Sequence, residues 1–537
     1  MGKIKENTLI IKVFDIIEFL FKLCFLIYGL ASFNSFLAHT KFIAFFLFSS
    51  GVLAGILLVY RVIHFYYFIH SKLFWLSMTF LVSYIVSFLL NIEYANINGI
   101  KTLVFMGMQF CLLLATDKRK SFNDQKRELK AILTFFNSYM FVSAVSSIVL
   151  FFCKYSNIAE RNGQRILSGF VWGRLWGVFV DPNYGSVLAA MALIISLYAI
   201  KKYKNLPLRI VNVLNICAQI LYIAFSDSRT GLVVLLTALF VYFICRFATL
   251  DMRFKLPLKS VVCVILAVCV SAVAFFAVSS VDKVYNAVFL GDSQVGTEST
   301  NSPSIDDTSS AEDNPSGNET SSTGVNTPSS AEDNPSGNET SSTGVNTPSS
   351  TEDNPSGTAE NSGEKSELWE VGREQDIESD ISNRRFDLWK SAIETVKVAP
   401  FFGVSFESIA DFAEEHLPET YLINNDHGVF NNYHNVLFNV LVGQGIVGIS
   451  ILFIMIVYAG ISLIKAVCQS YGTDDFLLCA MLFALLVMAL VSSMFLSDVI
   501  YAISVNMMLF WYLLGILLKK SGEVNKYDKN QHNSTGI

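Results

Sequence analysis

The sequence predicts an all-α polytopic membrane protein with about twelve transmembrane helices and one large external loop. Three observations support this fold class. Of the 537 residues, 52% are hydrophobic and only 16% are charged, which is too little charge for a soluble domain. Apolar runs of ~20 residues, the length that crosses a bilayer, recur along the chain. Lysines and arginines fill every second short loop between these runs.

The apolar runs form two groups, separated by a long polar segment. They cover residues 13–33, 42–60, 73–90, 99–115, 131–152, 183–200, 209–225, 231–248 and 260–280 before that segment, and 436–464, 475–496 and 499–518 after it. The first run is long enough to span and lacks a small-residue cleavage site. It therefore predicts a retained helix and not a removed signal peptide.

The distribution of cations orients the helices. Basic residues precede the first run and follow every even-numbered run; examples are Lys3, Arg61, Lys118, Lys201, Arg253, Lys465 and Lys519. Because cytoplasmic loops retain Lys and Arg, this pattern places both termini in the cytoplasm. The other loops, including the long polar segment, then face outside.

The long segment at residues 281–435 divides the chain. Residues 1–280 carry nine predicted helices, residues 436–518 carry three, and residues 519–537 form a cytoplasmic tail. Within the segment, residues 284–364 contain no Lys or Arg, and a block that begins at Ala311 recurs identically at Ala331. A repeat rich in Ser, Asn, Pro and acids cannot bury a core, so residues 293–364 are predicted to be disordered.

An amphipathic helix is predicted at residues 380–399, near the end of the external loop. Its apolar face comprises Phe386, Trp389, Ile393 and Val396. Arg385 lies one turn before Trp389 and shares its face, which places a fixed cation just outside the bilayer.

A histidine and an asparagine, His434 and Asn435, stand where the tenth apolar run begins. A neutral His434 could accept a proton from an attacking hydroxyl, and Asn435 could orient it or the substrate. The alternative is that His434 is a helix N-terminal residue satisfied by backbone groups. His427, in the nearby sequence NNDHGVF, is a second candidate.

Several arginines run against the charge bias because they lie in loops predicted to be external: Arg161, Arg165, Arg174, Arg229, Arg384 and Arg385. One explanation is snorkelling at helix ends or pairing with the acidic loop, which we favour for Arg161 and Arg165. The other is phosphate binding, for which the planar guanidinium is suited. We favour phosphate binding for Arg174, Arg229 and Arg385, since their flanks are apolar and turn-forming.

The loop between runs five and six, GFVWGRLWGVFVDPNYGS, is too apolar for a plain exposed loop. It predicts a re-entrant or interfacial segment that lines a cavity. The alternative is a pair of ragged helix ends that meet at the DPN turn.

Missing patterns exclude several function classes. The chain has no P-loop, GxSxG, HExxH or dinucleotide-binding motif, and no DxD-type pair in an outer turn. The nine cysteines lie in or beside apolar runs without a CxxC or Cys/His cluster, so no disulfide framework or zinc site is expected. The cations lie at helix ends and not in a patch, which argues against nucleic-acid binding. We therefore expect no cofactor and no metal.

Four blocks, in order, resemble the O-antigen ligase/polymerase superfamily. RLWGVFVDPN resembles its Arg-x-x-Gly…Pro-Asn loop, and SRTG its Ser-Arg-Gly turn. RRFDLWKSAIETVKVAPFFGV resembles its Arg-x-x-x-Trp and Pro-x-x-Gly block, and YHNVLFNVLVGQGIVG its His-Asn motif and Gly-rich helix start. Ser405 departs from the pattern, because the family often has a second glycine there after Gly403.

The resemblance implies a GT-C-like glycosyltransferase that works outside the bacterial cytoplasmic membrane on undecaprenyl-diphosphate-linked glycans. Carried over by position, it implies that Arg229 and Arg385 bind the diphosphate and that His434 is the catalytic histidine. The substrate-binding residues that we predict beside them are Arg174, Asn435, Trp389 and Arg384.

We therefore predict a Wzy-type polymerase that joins lipid-linked repeat units into capsule or O-antigen polymer, without a metal and with inversion at the anomeric carbon. The expected partners are the glycan donor and acceptor, membrane lipid, a flippase and a chain-length regulator. A WaaL-type ligase, which passes finished polymer to another acceptor, is the alternative with the same fold. A transporter or flippase for lipid-linked glycan is the alternative of another class, and the scarcity of charge within the apolar runs argues against it.

Overall fold

The computed structural model describes residues 8–69, 71–161, 164–249, 256–289, 371, 384–425 and 428–534. The predicted disordered repeat at 293–364 and the second candidate histidine, His427, lie outside these residues. The described chain contains fourteen α-helices and one three-stranded antiparallel sheet.

Nine long helices precede the external loop. They are α1 Thr8–Ser32, α2 Lys41–Ile63, α3 Lys72–Leu90, α4 Ile97–Met108, α5 Phe122–Phe152, α6 Pro182–Lys202, α7 Leu206–Phe225, α8 Arg229–Ala248 and α9 Leu256–Phe289. A π-helical segment, Gln109–Leu114, continues α4. The later helices are α10 Arg385–Val398, α11 Ile409–His416, α12 Val436–Gln469, α13 Phe476–Leu496 and α14 Val505–Ser534.

Each predicted apolar run coincides with one long helix, α1 to α9 or α12 to α14. In the described part of the chain, ten helices are long and apolar enough to cross a membrane. The predicted fold class, an all-α polytopic membrane protein, is therefore confirmed. The remaining two long helices, α1 and α14, carry charged residues toward one end.

Two helix ends extend beyond the predicted boundaries. Helix α9 continues past residue 280 to Phe289, and α14 continues past residue 518 to Ser534. The polar end of α9 has a partner: the Asn286 side chain donates to the carbonyl of Val371 (2.8 Å) and accepts from its amide (3.1 Å). The helix can continue into polar sequence there because its side chains find hydrogen bonds outside the apolar span.

One end of the bundle holds ion pairs between helix ends that the charge pattern places on the same side. Lys22 of α1 lies 2.7 Å from Glu18 and 2.6 Å from Glu128 of α5. Lys126 of α5 lies 2.6 Å from Asp475, at the start of α13. The loops that are rich in cations thus meet at one end, as their alternation along the chain predicts.

The opposite end carries the small sheet. Strands β1 Ser156–Arg161, β2 Gln164–Val171 and β3 Arg174–Gly177 pair antiparallel in the order β1-β2-β3. The predicted alternatives for this segment, a re-entrant or interfacial segment or two ragged helix ends, did not include a sheet. Its strands are hard to recognise because β3 is buried along its whole length, so no alternation of polar and apolar residues appears.

Helix α12 is broken near its start. Gly445 has φ 63° and ψ −163°, which interrupts the helical hydrogen bonds. The backbone of the loop that follows α10 forms hydrogen bonds with the groups left unpaired at this break. The amide of Val404 donates to the carbonyl of Val442 (2.9 Å), and the amide of Ile446 donates to the carbonyl of Pro400 (2.8 Å). Backbone pairing therefore locks the loop against the break.

Two glycines permit this close approach. A Cβ atom on Gly403 would lie 2.1 Å from the carbonyl oxygen of Val442, and one on Gly445 would lie 2.2 Å from that of Phe401. Both glycines also have positive φ, 69° and 63°. The Pro-x-x-Gly block and the Gly-rich helix start are thus two halves of one contact, which sets the position of α10 relative to α12.

Candidate functional site

Helix α10 is amphipathic as predicted, but its buried face is different. Leu388, Ala392 and Thr395 are almost fully buried, whereas Phe386 is 65% and Ile393 is 48% exposed. Two residues of the apolar face that the periodicity predicts, Phe386 and Ile393, are therefore exposed on the protein surface. Small residues such as Ala392 let α10 lie close to its neighbours, while Phe386 and Ile393 point away from the contact.

Trp389 holds the segment that precedes His434. Its indole nitrogen donates to the carbonyl of Tyr433 (3.1 Å), and its ring stacks on Phe438 of α12 with centroids 5.4 Å apart. The Tyr433 side chain is fully buried and its hydroxyl lies 3.1 Å from the Thr395 hydroxyl. These contacts give Trp389, predicted to bind substrate, a positioning role.

His434 is held in a constrained backbone conformation. Its φ of 48° is uncommon for a residue other than glycine, and such strain is found at functional sites. The amide of His434 donates to the Asn432 side chain (2.8 Å). On its other side, Asn435 caps α12, because its side-chain oxygen accepts from the amide of Leu437 (2.9 Å). The oxygen of Asn435 is thus used by the helix rather than by the imidazole.

Arg385 and His434 are brought together. Burial and then the positive charge of Arg385 lower the pKa of His434 to about 4. The guanidinium carbon of Arg385 lies 5.7 Å from the ring centroid of Phe495, at the end of α13. Arg385, the first residue of α10, therefore places its positive charge near the start of α12 and the end of α13. At neutral pH the His434 imidazole is uncharged and can accept a proton.

Arg174 belongs to a second cluster. It is 1% exposed, its Nε donates to the carbonyl of Ser226 (2.9 Å), and a terminal nitrogen donates to Asn183 (2.8 Å). The Ser228 hydroxyl donates to the same Asn183 oxygen (3.0 Å). Arg174 thus ties β3 to the start of α6 and to the α7–α8 turn, in which Arg229 is the exposed first residue of α8.

The remaining predicted arginine, Arg384, is exposed and occupies the N-cap position of α10 without a side-chain capping hydrogen bond, in a left-handed conformation with φ 58°. One of its terminal nitrogens donates to the Tyr421 hydroxyl (3.4 Å). The predicted site residues thus form two groups. Arg385, His434, Asn435, Trp389 and Arg384 lie around the junction of α10 and α12, and Arg174 and Arg229 lie around the α7–α8 turn.

Asp498, in the turn between α13 and α14, was not predicted, and its charge interacts with that of Asp181 at the start of α6. It is 3% exposed, and burial followed by the negative charge of Asp181 raises its pKa to about 7, although Asn506 donates to its carboxylate (2.8 Å). Asp181 caps α6, two residues before Asn183. A lone acid between two apolar runs in a turn predicted to be external was the signal available in the sequence.

The site offers cations, a neutral imidazole and a buried acid. Within the described ranges, no three His, Cys, Asp or Glu side chains are grouped so that they could hold a metal ion. The arrangement suits the binding of an anionic group beside a proton acceptor.

A family model described as O-antigen ligase matches residues 213–453, a span that includes the α7–α8 turn, α10 and the start of α12. No curated protein matches the chain. Over residues 213–453 the chain is therefore similar to the O-antigen ligase family, which confirms the predicted resemblance to the O-antigen ligase/polymerase superfamily.

Proposed function

We propose that the protein is a polysaccharide polymerase. It would join undecaprenyl-diphosphate-linked oligosaccharide repeat units into capsule or O-antigen polymer on the outer side of the bacterial cytoplasmic membrane. The family acts on lipid-linked glycans and transfers them, which favours an enzyme over a transporter. The observation that carries the proposal is the pairing of a cation, Arg385, with an uncharged His434 at the start of α12.

The proposed step is a direct displacement. A hydroxyl of the incoming repeat unit attacks the anomeric carbon of the growing glycan, and its proton passes to His434. The bond from the anomeric carbon to the diphosphate oxygen breaks, and its electron pair leaves with undecaprenyl diphosphate. Arg385 stabilises the charge that develops on this leaving group, and we assign the same role to Arg229 of the second cluster, which must then face the same cavity. The single displacement inverts the anomeric configuration, and no metal takes part in it.

The electrostatic coupling of the two residues supports this assignment. Without substrate, the charge of Arg385 disfavours protonation of His434. A bound diphosphate would screen that charge, so the pKa of His434 would rise toward its ordinary value of about 6.5. The imidazole would become a better base only when the donor is in place. The same coupling would return the proton to water after the leaving group departs.

The proposed topology has both termini in the cytoplasm. It rests on the alternation of basic loops and on their meeting at one end of the bundle, opposite His434. The site then faces the compartment in which lipid-linked repeat units are assembled into polymer. A flippase that supplies these units and a chain-length regulator are the proposed partners.

The proposal is tested in cells that lack the chromosomal gene and carry His434→Ala or Arg385→Ala. We expect only single repeat units, on a gel that resolves polymer by length, with normal amounts of the variant in the membrane. Lys390→Ala, which removes an exposed cation from the same helix, is the matched control and should give full-length polymer. Full-length polymer in the His434 and Arg385 variants would contradict the assignment.

A ligase is the second candidate, favoured by the description of the matching family as O-antigen ligase. The lipid-linked intermediates distinguish the two. A defective polymerase leaves single repeat units on undecaprenyl diphosphate, whereas a defective ligase leaves finished polymer there. Extraction of this lipid fraction from the His434→Ala strain therefore decides between them.

A further inference from the structure

A cavity lies far from His434, at the end of the bundle that holds the ion pairs. It has a volume of about 680 Å³ and lies between α5, α6 and α7, within the usual size range of ligand pockets. Its walls are mainly apolar, and they include Leu133, Phe141 and Leu208. Val142 and Val211, on α5 and α7, are 64% and 47% exposed. The cavity is thus bordered by side chains that face the lipid.

Four cations line the mouth of the cavity: Lys126, Arg127, Lys130 and Lys202. Two acids, Asp474 and Asp475, line it as well, which leaves an excess of two positive charges (four minus two). Asp475 is bound by Lys126 (2.6 Å) and by Lys520 (2.9 Å), so its charge is already neutralised within the protein. Arg127, Lys130 and Lys202 are exposed at this mouth.

Polar side chains continue from the mouth into the membrane-spanning part. The Asn215 amide donates to Asn137 (3.1 Å) and to Ser196 (3.0 Å), which links α7 to α5 and α6. Asn137 lies about 22 Å along α5 from its first residue, at 1.5 Å per residue. Thr134 and Ser138 of the cavity wall are exposed on the same helix. Polar groups at this depth are expected only where they meet other polar groups or line a cavity.

A ligand for this cavity needs an anionic head, polar groups below it and apolar chains. We propose that the cavity binds an anionic diacyl phospholipid, with its phosphate at the cations of the mouth and its acyl chains between α5 and α7. A zwitterionic lipid lacks the net charge that the mouth complements, and a soluble phosphate ester would leave the apolar walls unfilled. The proposal does not depend on glycan transfer.

The test uses the full chain purified in an uncharged detergent. Dioleoyl phosphatidylglycerol is titrated, and bound lipid is counted by native mass spectrometry while Tm is recorded. Dioleoyl phosphatidylcholine and glycerol phosphate are the comparison ligands. We expect the anionic lipid to bind at least about 10-fold more tightly than either and to raise Tm. Equal binding of phosphatidylcholine, or of glycerol phosphate, would overturn the proposal.

Two sets of variants locate the site. Arg127→Gln, Lys130→Gln and Lys202→Gln together remove three cavity cations and should weaken phosphatidylglycerol binding about 10-fold or more. The matched control is the triple variant K201Q/K204Q/R209Q, which removes three exposed cations from the same end outside the cavity. It should bind as the unmodified protein does. An equal loss in both sets would show a general surface-charge effect and overturn the site.

A third variant tests the site without changing the number of charges, because loss of three cations could also affect folding. Ser138→Phe places an aromatic ring in the cavity without changing the net charge. It should reduce phosphatidylglycerol binding while the Tm without lipid stays close to that of the unmodified protein. Undiminished lipid binding in Ser138→Phe would place the lipid elsewhere.

Discussion

The guanidinium of Arg385 and the imidazole of His434 are coupled electrostatically: the charge of Arg385 adds to burial in lowering the pKa of His434 to about 4. The two residues come from different elements, the first residue of α10 and the segment before α12. Backbone pairing between residues 400–405 and the break in α12 holds these elements together. The coupling is therefore built by the fold and not by a local motif.

Replacing Arg385 by Gln should raise the pKa of His434, because one of its two causes is removed. The pKa should stay below its ordinary value of about 6.5, since burial persists. NMR of histidine-labelled protein in detergent, titrated between about pH 3 and 8, measures it. Lys390→Gln, an exposed cation on α10, is the control and should leave the pKa unchanged. A His434 pKa that is the same in Arg385→Gln as in the unmodified protein would disprove the coupling.

The lowered pKa of His434 should also make stability depend on pH. Below an unfolded pKa of about 6.5 the unfolded chain binds a proton that the folded chain refuses, so stability falls as the pH drops toward about 4. His434→Asn removes this titration and tolerates the positive φ of this position. The Tm of the variant should therefore fall less between pH 6.5 and pH 4. Parallel curves for both proteins would contradict the assigned pKa.

Asp498 should make folding stability depend on pH in the opposite direction. The folded pKa of Asp498, about 7, lies above the usual unfolded value of about 3.9. The contribution of Asp498 to folding stability is therefore complete below about pH 3.9 and is lost as the pH rises through 7. Asp498→Asn keeps the shape of the side chain without the buried charge. At pH 8 it should be more stable than the unmodified protein by on the order of 1–3 kcal/mol. Thermal unfolding in detergent at pH 8, pH 5 and about pH 3.5 measures the difference, which should shrink at pH 5 and vanish below the unfolded pKa of about 3.9.

The helices could be predicted because a bilayer demands long apolar runs and because cations alternate between its two sides. The grouping of Arg385 with His434 could also be anticipated, since arginines in external loops oppose the charge bias. The buried face of α10 could not be predicted from the sequence. Next to a membrane an apolar side chain need not be buried in the protein, so the helical spacing of apolar residues does not reveal that Phe386 and Ile393 are exposed.

Other features depend on contacts that no local pattern specifies. The break in α12 is compensated by a loop that precedes it by some forty residues, so only the glycines hint at it. The burial of Asp498 depends on the packing of α6, α13 and α14 around one turn. The amide cluster of Asn137, Ser196 and Asn215 joins three helices whose sequences each show only isolated polar residues.

The glycines at the break in α12 should be indispensable. Gly445→Ala would place a methyl group 2.2 Å from the Phe401 carbonyl oxygen at a φ of 63°, so the loop must move. We expect a loss of about 1–3 kcal/mol or more, read as a lower Tm in detergent. Gly460→Ala is the contrasting substitution on the same helix, because an added methyl group there would meet no atom within 4 Å. A milder effect of Gly445→Ala than of Gly460→Ala would contradict the role of the break.

Ser405, where the family often has glycine, should respond in the opposite sense. It adopts φ 65° and ψ 138°, a sparsely populated backbone region that costs a residue with a side chain on the order of 1–3 kcal/mol. Ser405→Gly removes that strain but gives the unfolded chain more freedom, so a net stabilisation of at most about 1 kcal/mol is expected. A higher Tm in detergent with unchanged polymer length checks it. A clear destabilisation would mean that the buried serine side chain contributes more than its backbone strain costs.

Deleting residues 311–350, the two identical repeats, should leave polymer length and amount unchanged. These forty residues lie outside the described ranges, and their only apolar side chains besides proline, two alanines and two valines, are too few to pack a core. Between Phe289 and Val371 the deletion leaves 41 residues (81 minus 40), which can span far more than the width of the bundle. The contact of Asn286 with Val371 is retained.

A scrambled forty-residue insert of the same composition is the matched control and should behave as the natural repeat does. Loss of polymer in the deletion, with normal amounts of protein in the membrane and recovery only with the natural order of residues, would mean that the repeat binds a partner of its own.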